Sequence, residues 1–118
     1  MRPINIKRIY EKVSEKDGYR VLVDRLWPRG ISKEEAKVDE WIKEIAPSTE
    51  LRKWFDHREE RFPEFAKRYE GEFTVKNDHI ERLRSIAEQQ QVTLIYSAKN
   101  IQFNQAVVLR NYLNKTTS

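Results

Sequence analysis

At 118 residues the chain suits one domain, 1–118, burying roughly 65% of its unfolded surface on folding. It has no cysteine, which excludes disulfides, thiolate metal sites and thiol redox chemistry. Lys and Arg number 23 against 19 Asp and Glu, giving a net charge of +4, a pI near 9.4 and a charged fraction of 36%.

Both signs of charge are interleaved through the helical segments, the pattern of solvated faces carrying i,i+4 pairs more than of a dedicated nucleic-acid stripe. No run approaches the ~18 apolar residues of a membrane helix, and the N-terminus has no apolar leader. A soluble cytoplasmic protein with no membrane partner is the expectation.

In chain order, Ile4, Ile6 and Ile9 alternate with basic residues and predict a first strand within Met1–Tyr10. Asp17-Gly18 marks a turn, and Tyr19–Asp24 a second strand whose unbroken apolar centre suits a parallel sheet buried on both faces. Ser32-Lys33-Glu34-Glu35 is a capping box, predicting a helix to about Ile45 with Val38, Trp41, Ile42 and Ile45 on its inner face. Pro47 ends it, and Ser48 caps a short helix carrying Leu51, Trp54 and Phe55.

Asp56–Glu59 offers a further cap before a helix with Phe62, Phe65, Ala66, Tyr69 and Phe73, regular from near Phe62 because Pro63 fits only a first turn. Asp78 is placed as the cap of the next helix, which carries Ile80, Leu83, Ile86 and Ala87. Val92–Ser97 reads as a third strand. Asn100 is placed as the cap of the last helix, with Phe103, Ala106, Val107, Leu109, Arg110 and Leu113, and Lys115–Ser118 as a frayed tail. The expected fold is a small three-layer α/β domain: a short, mainly parallel three-stranded sheet flanked by about five helices.

Two buried strands joined by a long helical excursion form a parallel pair with a right-handed crossover. In such sheets ligands sit beyond the carboxyl ends of the strands, so Asp24–Gly30 should meet Ser97–Asn104 across ~70 residues of sequence. Asp24 then suits a general base or a metal-binding carboxylate, or else a structural anchor for Arg25, Arg29 or a helix-end amide. Arg25 suits an anion clamp.

In Trp27-Pro28-Arg29-Gly30, Trp27 can stack a planar ligand or pack as a lid, while Arg29 grips phosphate or carboxylate. Ser48 and Arg52 lie at a helix N-terminus, a ready anion site, with plain capping as the alternative for Ser48. Lys99 suits an anion ligand, and Ser97 a nucleophile or orienting group, though no Gly-x-Ser-x-Gly elbow surrounds it. Asn104 can complete the pocket. His57 suits acid–base chemistry or a local hydrogen bond, and two histidines make no zinc cluster. No phosphate-loop or dinucleotide fingerprint occurs among three glycines, and no cofactor is indicated.

Val-Leu-Val-Asp-Arg-Leu-Trp-Pro-Arg-Gly at 21–30 resembles the signature of the YeaO-like family, bacterial and archaeal domains of unknown function. The likeness continues through Ala-Pro-Ser-Thr-Glu-Leu-Arg-Lys-Trp-Phe at 46–55, His57, Phe65, Arg68-Tyr69 and Ala106–Leu109. It implies a fold, not an activity. One departure is visible: where relatives often carry Asn-His, this chain has Asn104-Gln105.

Two functions follow as expectations. The first is an anion-recognising pocket, alone or as an enzyme, for a phosphate- or carboxylate-bearing small molecule such as a nucleotide or sugar derivative. The alternative is a non-catalytic nucleic-acid or protein-binding module using the basic surface and the Trp-Pro-Arg-Gly loop. Monomer and homodimer are both open, with Trp41, Trp54 and Phe62 as the residues of a dimer face.

Overall fold

The computed structural model describes residues 2–115. Four strands, β1 (Asn5–Arg8), β2 (Tyr19–Leu22), β3 (Glu40–Trp41) and β4 (Val92–Tyr96), form a sheet in the order β1-β4-β2-β3, with every pair parallel. Among the described residues five α-helices accompany it: α1 (Lys33–Ala36), α2 (Thr49–Phe55), α3 (Phe62–Glu72), α4 (Asn77–Gln89) and α5 (Gln105–Asn114). The expected α/β class and the parallel sheet are present, but the sheet has four strands, not three.

Strand alternation divides the core. Val21, Val23, Leu94 and Tyr96 point into the larger cluster, where α3, α4 and α5 supply Phe65, Tyr69, Ile80, Leu83 and Leu109. Leu22 and Ile95 point the other way, under Ile9, Ala36, Trp27, Ile31, Val38 and Trp41. The layer on that second face is the single turn α1 and the irregular chain around it.

The helix expected from Ser32 to Ile45 is the main departure. Its capping box forms, with the Ser32 hydroxyl accepting from the Glu35 amide, but α1 stops at Ala36 and Lys37 turns left-handed (φ 49°). The next residues are captured by the edge of β2 instead: the Asp39 amide donates to the Arg20 carbonyl and the Ile42 amide to the Leu22 carbonyl. The apolar residues at 38, 41, 42 and 45 therefore split between the two cores, rather than forming one stripe.

Three cap assignments also shift. Asp56 closes α2 in the left-handed region, Asp78 lies in the first turn of α4 behind Lys76, and α5 is capped by Asn104, four residues after Asn100. The α3 start at Phe62 follows the expectation set by Pro63. Of the tail expected to fray, residues 116–118 lie outside the described residues.

The amino end of the sheet is electrostatically closed. The Asp17 carboxylate accepts from Lys7 Nζ (2.8 Å), Arg20 Nη1 (2.6 Å) and the Ser14 amide (3.0 Å), while the Asp17 carbonyl accepts from Thr93 Oγ1 (2.7 Å). Burial opposes ionisation of Asp17, but these bonds hold its carboxyl below the usual value. Arg20, 3% exposed, also donates to the Ala36 and Lys37 carbonyls and so closes the end of α1.

Candidate functional site

The carboxyl end of the sheet is built differently. The β2–β4 ladder ends with the Val23 amide on the Ile95 carbonyl, which delivers Asp24 to the sheet edge at 8% exposure. Its Oδ2 accepts from the Ser97 amide (3.1 Å) and the Ser97 hydroxyl (2.6 Å), and its Oδ1 from Gln105 Nε2 (2.7 Å). One carboxylate thus ties the end of β2 to the end of β4 and to the first residue of α5. All three donors are uncharged, and burial outweighs them, raising the Asp24 carboxyl above its ordinary value.

Above Asp24 opens a cleft of about 670 Å³. Among the described residues its cationic lining is Arg8, Arg25, Arg29, Arg52 and Lys99, and its one carboxylate is Asp24. Arg8, at the end of β1, donates to the Ala98 carbonyl (2.8 Å) and the Ser97 carbonyl (3.1 Å) and lies over the Tyr10 ring. The Tyr10 hydroxyl in turn donates to the Arg29 carbonyl (2.7 Å), holding the 27–30 loop.

Arg25 Nη2 donates to the Ala46 (3.2 Å) and Pro47 (3.0 Å) carbonyls, and its buried Nε has no hydrogen-bond partner among the described residues. Arg29, Arg52 and Lys99 are exposed at the mouth. Among the described residues, none of these five cations forms an ion pair. The contrast with Asp17 is sharp: at one end of the sheet the cations are paired with a carboxylate, and at the other positive charge faces a cavity.

The juxtaposition expected from the strand-end rule is present, since Asp24, Arg25, Trp27 and Arg29 face Ser97, Lys99 and Asn104 across one cleft that also reaches Arg52. Trp27 contributes to the wall, but its indole donates to the Ile31 carbonyl (2.8 Å) and stands edge-on to Trp41 at 5.6 Å, so it is anchored in the second core. Asn104, buried, caps α5 by accepting from the Val107 amide (3.1 Å). His57 lines the cleft from a left-handed residue (φ 55°), exposed.

Ser48 is not brought there. Its hydroxyl accepts from the Leu51 amide (3.1 Å) and donates to Glu72 Oε2 (2.6 Å), while its amide donates to Glu72 Oε1 (2.8 Å). The anion at that helix start is therefore the protein's own Glu72, further engaged by Lys76, which also donates to the Ala46 carbonyl. Ser48→Ala should lower unfolding free energy by about 1–2 kcal/mol through loss of the cap. Urea denaturation would show this, and titration of the variant with inorganic phosphate should match the wild type.

Arg8, Tyr10 and Gln105 are polar cleft residues that lay outside the sequence-derived candidates. The strand-end rule, applied to the first strand, reaches Arg8 and Tyr10. Gln105 stood out only as a departure from relatives, and it proves to be a direct partner of Asp24. Among the described residues no three His, Cys, Asp or Glu side chains are grouped to share a metal ion.

Comparison with known proteins adds family and relatives. The model of the DUF488-N3i family, described as the inactive DUF488-N3 subclade, matches residues 3–118. An uncharacterised Escherichia coli protein, YeaO, is 48% identical over 110 residues, covering 93% of this chain and 96% of YeaO. Uncharacterised proteins of Mycobacterium bovis and Mycobacterium tuberculosis are each 40% identical over 111 residues, covering 94% of this chain and 93% of theirs. The YeaO-like resemblance is thereby shown. No solved structure matches the chain.

Proposed function

We propose, from the premise that this chain belongs to the DUF488-N3i family, the inactive DUF488-N3 subclade, that it is a binding protein for a small anionic molecule. The observation that carries the proposal is the convergence of Arg8, Arg25, Arg29, Arg52 and Lys99 on one cleft with no carboxylate partner for any of them among the described residues. Cations packed around a partly desolvated cavity repel one another, and a bound phosphate or carboxylate relieves that repulsion. The half-buried Arg8 and Arg25 are held by carbonyl groups, so they are already oriented before a ligand arrives.

Binding is favoured over catalysis because the subclade is described as inactive. Asp24 and Ser97 then act as the floor of the cleft, and Asn104 as the cap that fixes the α5 start beside it.

Calorimetric titration with inorganic phosphate and pyrophosphate at low ionic strength tests the proposal. Arg29→Ala and Arg52→Ala, both at exposed positions, should each weaken binding about tenfold or more, the factor for losing a charge-assisted hydrogen bond. Lys53→Ala and Lys67→Ala, outside the cleft, should leave it unchanged. Absence of saturable phosphate binding would overturn the reading. Affinity for oligonucleotides that falls steeply with salt and responds to the surface lysines would put a nucleic-acid-binding module in its place.

A further inference from the structure

The floor of the cleft and its mouth make opposite demands on a ligand, and this narrows the ligand class within the reading above. A carboxylate offers about four lone-pair sites. On Asp24 the Ser97 amide and hydroxyl use two at Oδ2, and Gln105 uses one at Oδ1. Among the described residues nothing donates to the remaining Oδ1 site, and Asp24 lines the cleft.

A carboxylate or fully ionised phosphate is disfavoured against that oxygen, because it is an acceptor only and carries the same charge. The anionic end of a ligand therefore belongs at the mouth, where Arg29, Arg52 and Lys99 are exposed. The part that reaches the floor must donate a hydrogen bond. An ammonium group would meet the field of the cleft cations, which leaves an uncharged donor.

We propose that the cleft binds a sugar phosphate, free or as part of a mononucleotide, whose phosphate lies among the mouth cations and one of whose hydroxyls donates to Asp24 Oδ1. The inference rests on the anion-binding reading and adds a hydroxyl requirement to it. Two sources share this chemistry. A cleft of about 670 Å³ falls within the range that encloses drug-sized ligands and leaves room for a base beside the sugar.

Titration of the intact wild-type chain with inorganic phosphate, propyl phosphate, ribose 5-phosphate and adenosine 5′-monophosphate separates the possibilities. Ribose 5-phosphate should bind about tenfold tighter than propyl phosphate, the factor for one hydrogen bond to a charged acceptor. Asp24→Asn, which puts an N–H where the free acceptor stood, should close most of that gap. Tighter binding of the mononucleotide than of ribose 5-phosphate would assign the ligand to nucleotides, and the reverse to free sugar phosphates; both support the inference.

Equal affinity of the wild type for ribose 5-phosphate and propyl phosphate would overturn it while leaving the anion cleft intact. So would an Asp24→Asn variant that keeps the full preference. If no phosphate binds, the anion cleft and the hydroxyl requirement fall together.

Discussion

Replacing Asp24 by alanine is expected to lower the unfolding free energy by about 2–3 kcal/mol, a drop in midpoint of order 10 °C for a domain this size. The substitution strips the acceptor from the Ser97 amide, the Ser97 hydroxyl and the Gln105 amide together, and so removes the side-chain link between the end of β2, the end of β4 and the start of α5. Relief of a buried charge offsets part of the loss, and cleft water reaches the half-buried Ser97 and Gln105, which keeps the figure below the sum of three orphaned donors.

Asp24→Asn should behave quite differently. With its oxygen toward Ser97 and its amide toward a flipped Gln105 side chain, every bond has a new partner, and the buried charge is gone. Near-wild-type stability at neutral pH is the expected result.

The pH dependence supplies a second reading of the same pair. The folded Asp24 carboxyl is raised by burial above its ordinary value, so between the unfolded value of about 3.9 and the raised folded one the native state holds a proton that the unfolded chain has lost. Native protons in excess make stability fall as pH rises. The wild type minus Asp24→Asn difference should therefore be most favourable to the wild type in acid and decline from about pH 4 upward. Asp17 and Glu72, whose folded values are lowered, act in the opposite sense, but they contribute equally to both proteins and cancel in the difference. Urea denaturation across pH 4–8 measures it; a flat difference would mean that Asp24 is not desolvated in solution.

Gly18→Ala should be more damaging still, at about 3–5 kcal/mol from combined backbone strain and overpacking. Gly18 has φ 66° and ψ −133°, a region that L-residues rarely enter, and an added Cβ would stand 2.2 Å from the Gln91 carbonyl oxygen. That oxygen accepts from the Tyr19 amide at 2.8 Å, the first rung between β2 and the approach to β4. Nothing flexible can yield, because the contact is to backbone. Circular dichroism melting should show a midpoint lowered by more than 10 °C or a chain largely unfolded at room temperature; a wild-type melt would show that the turn relaxes at no cost.

Much of this fold is legible because its signals are local. The apolar runs before Asp24 and Ser97 end at charge or hydroxyl, and those ends form the cleft floor. Ser48 and the position of Pro63 set the starts of α2 and α3 within the chain itself. The strand-end rule then brings residues 24–29 beside 97–104 with no knowledge of their contacts.

The sequence by itself determined the α/β class, the two central strands, four of the five helices to within a few residues and the edge of the sheet where polar side chains collect. Tertiary structure alone decided three things. It made Glu40–Trp41 a strand, because the unpaired edge of β2 offered hydrogen bonds to a segment whose own pattern suits a helix. It turned Ser48 from the cleft toward Glu72, whose carboxylate lies 24 residues further along the chain. And it joined Gln105 to Asp24 across 81 residues, a bond that depends on where α5 docks against β4. Propensity, capping and periodicity act over one or two turns of chain, whereas the partners of a buried polar group are chosen by whichever distant segments packing brings within 3 Å of it.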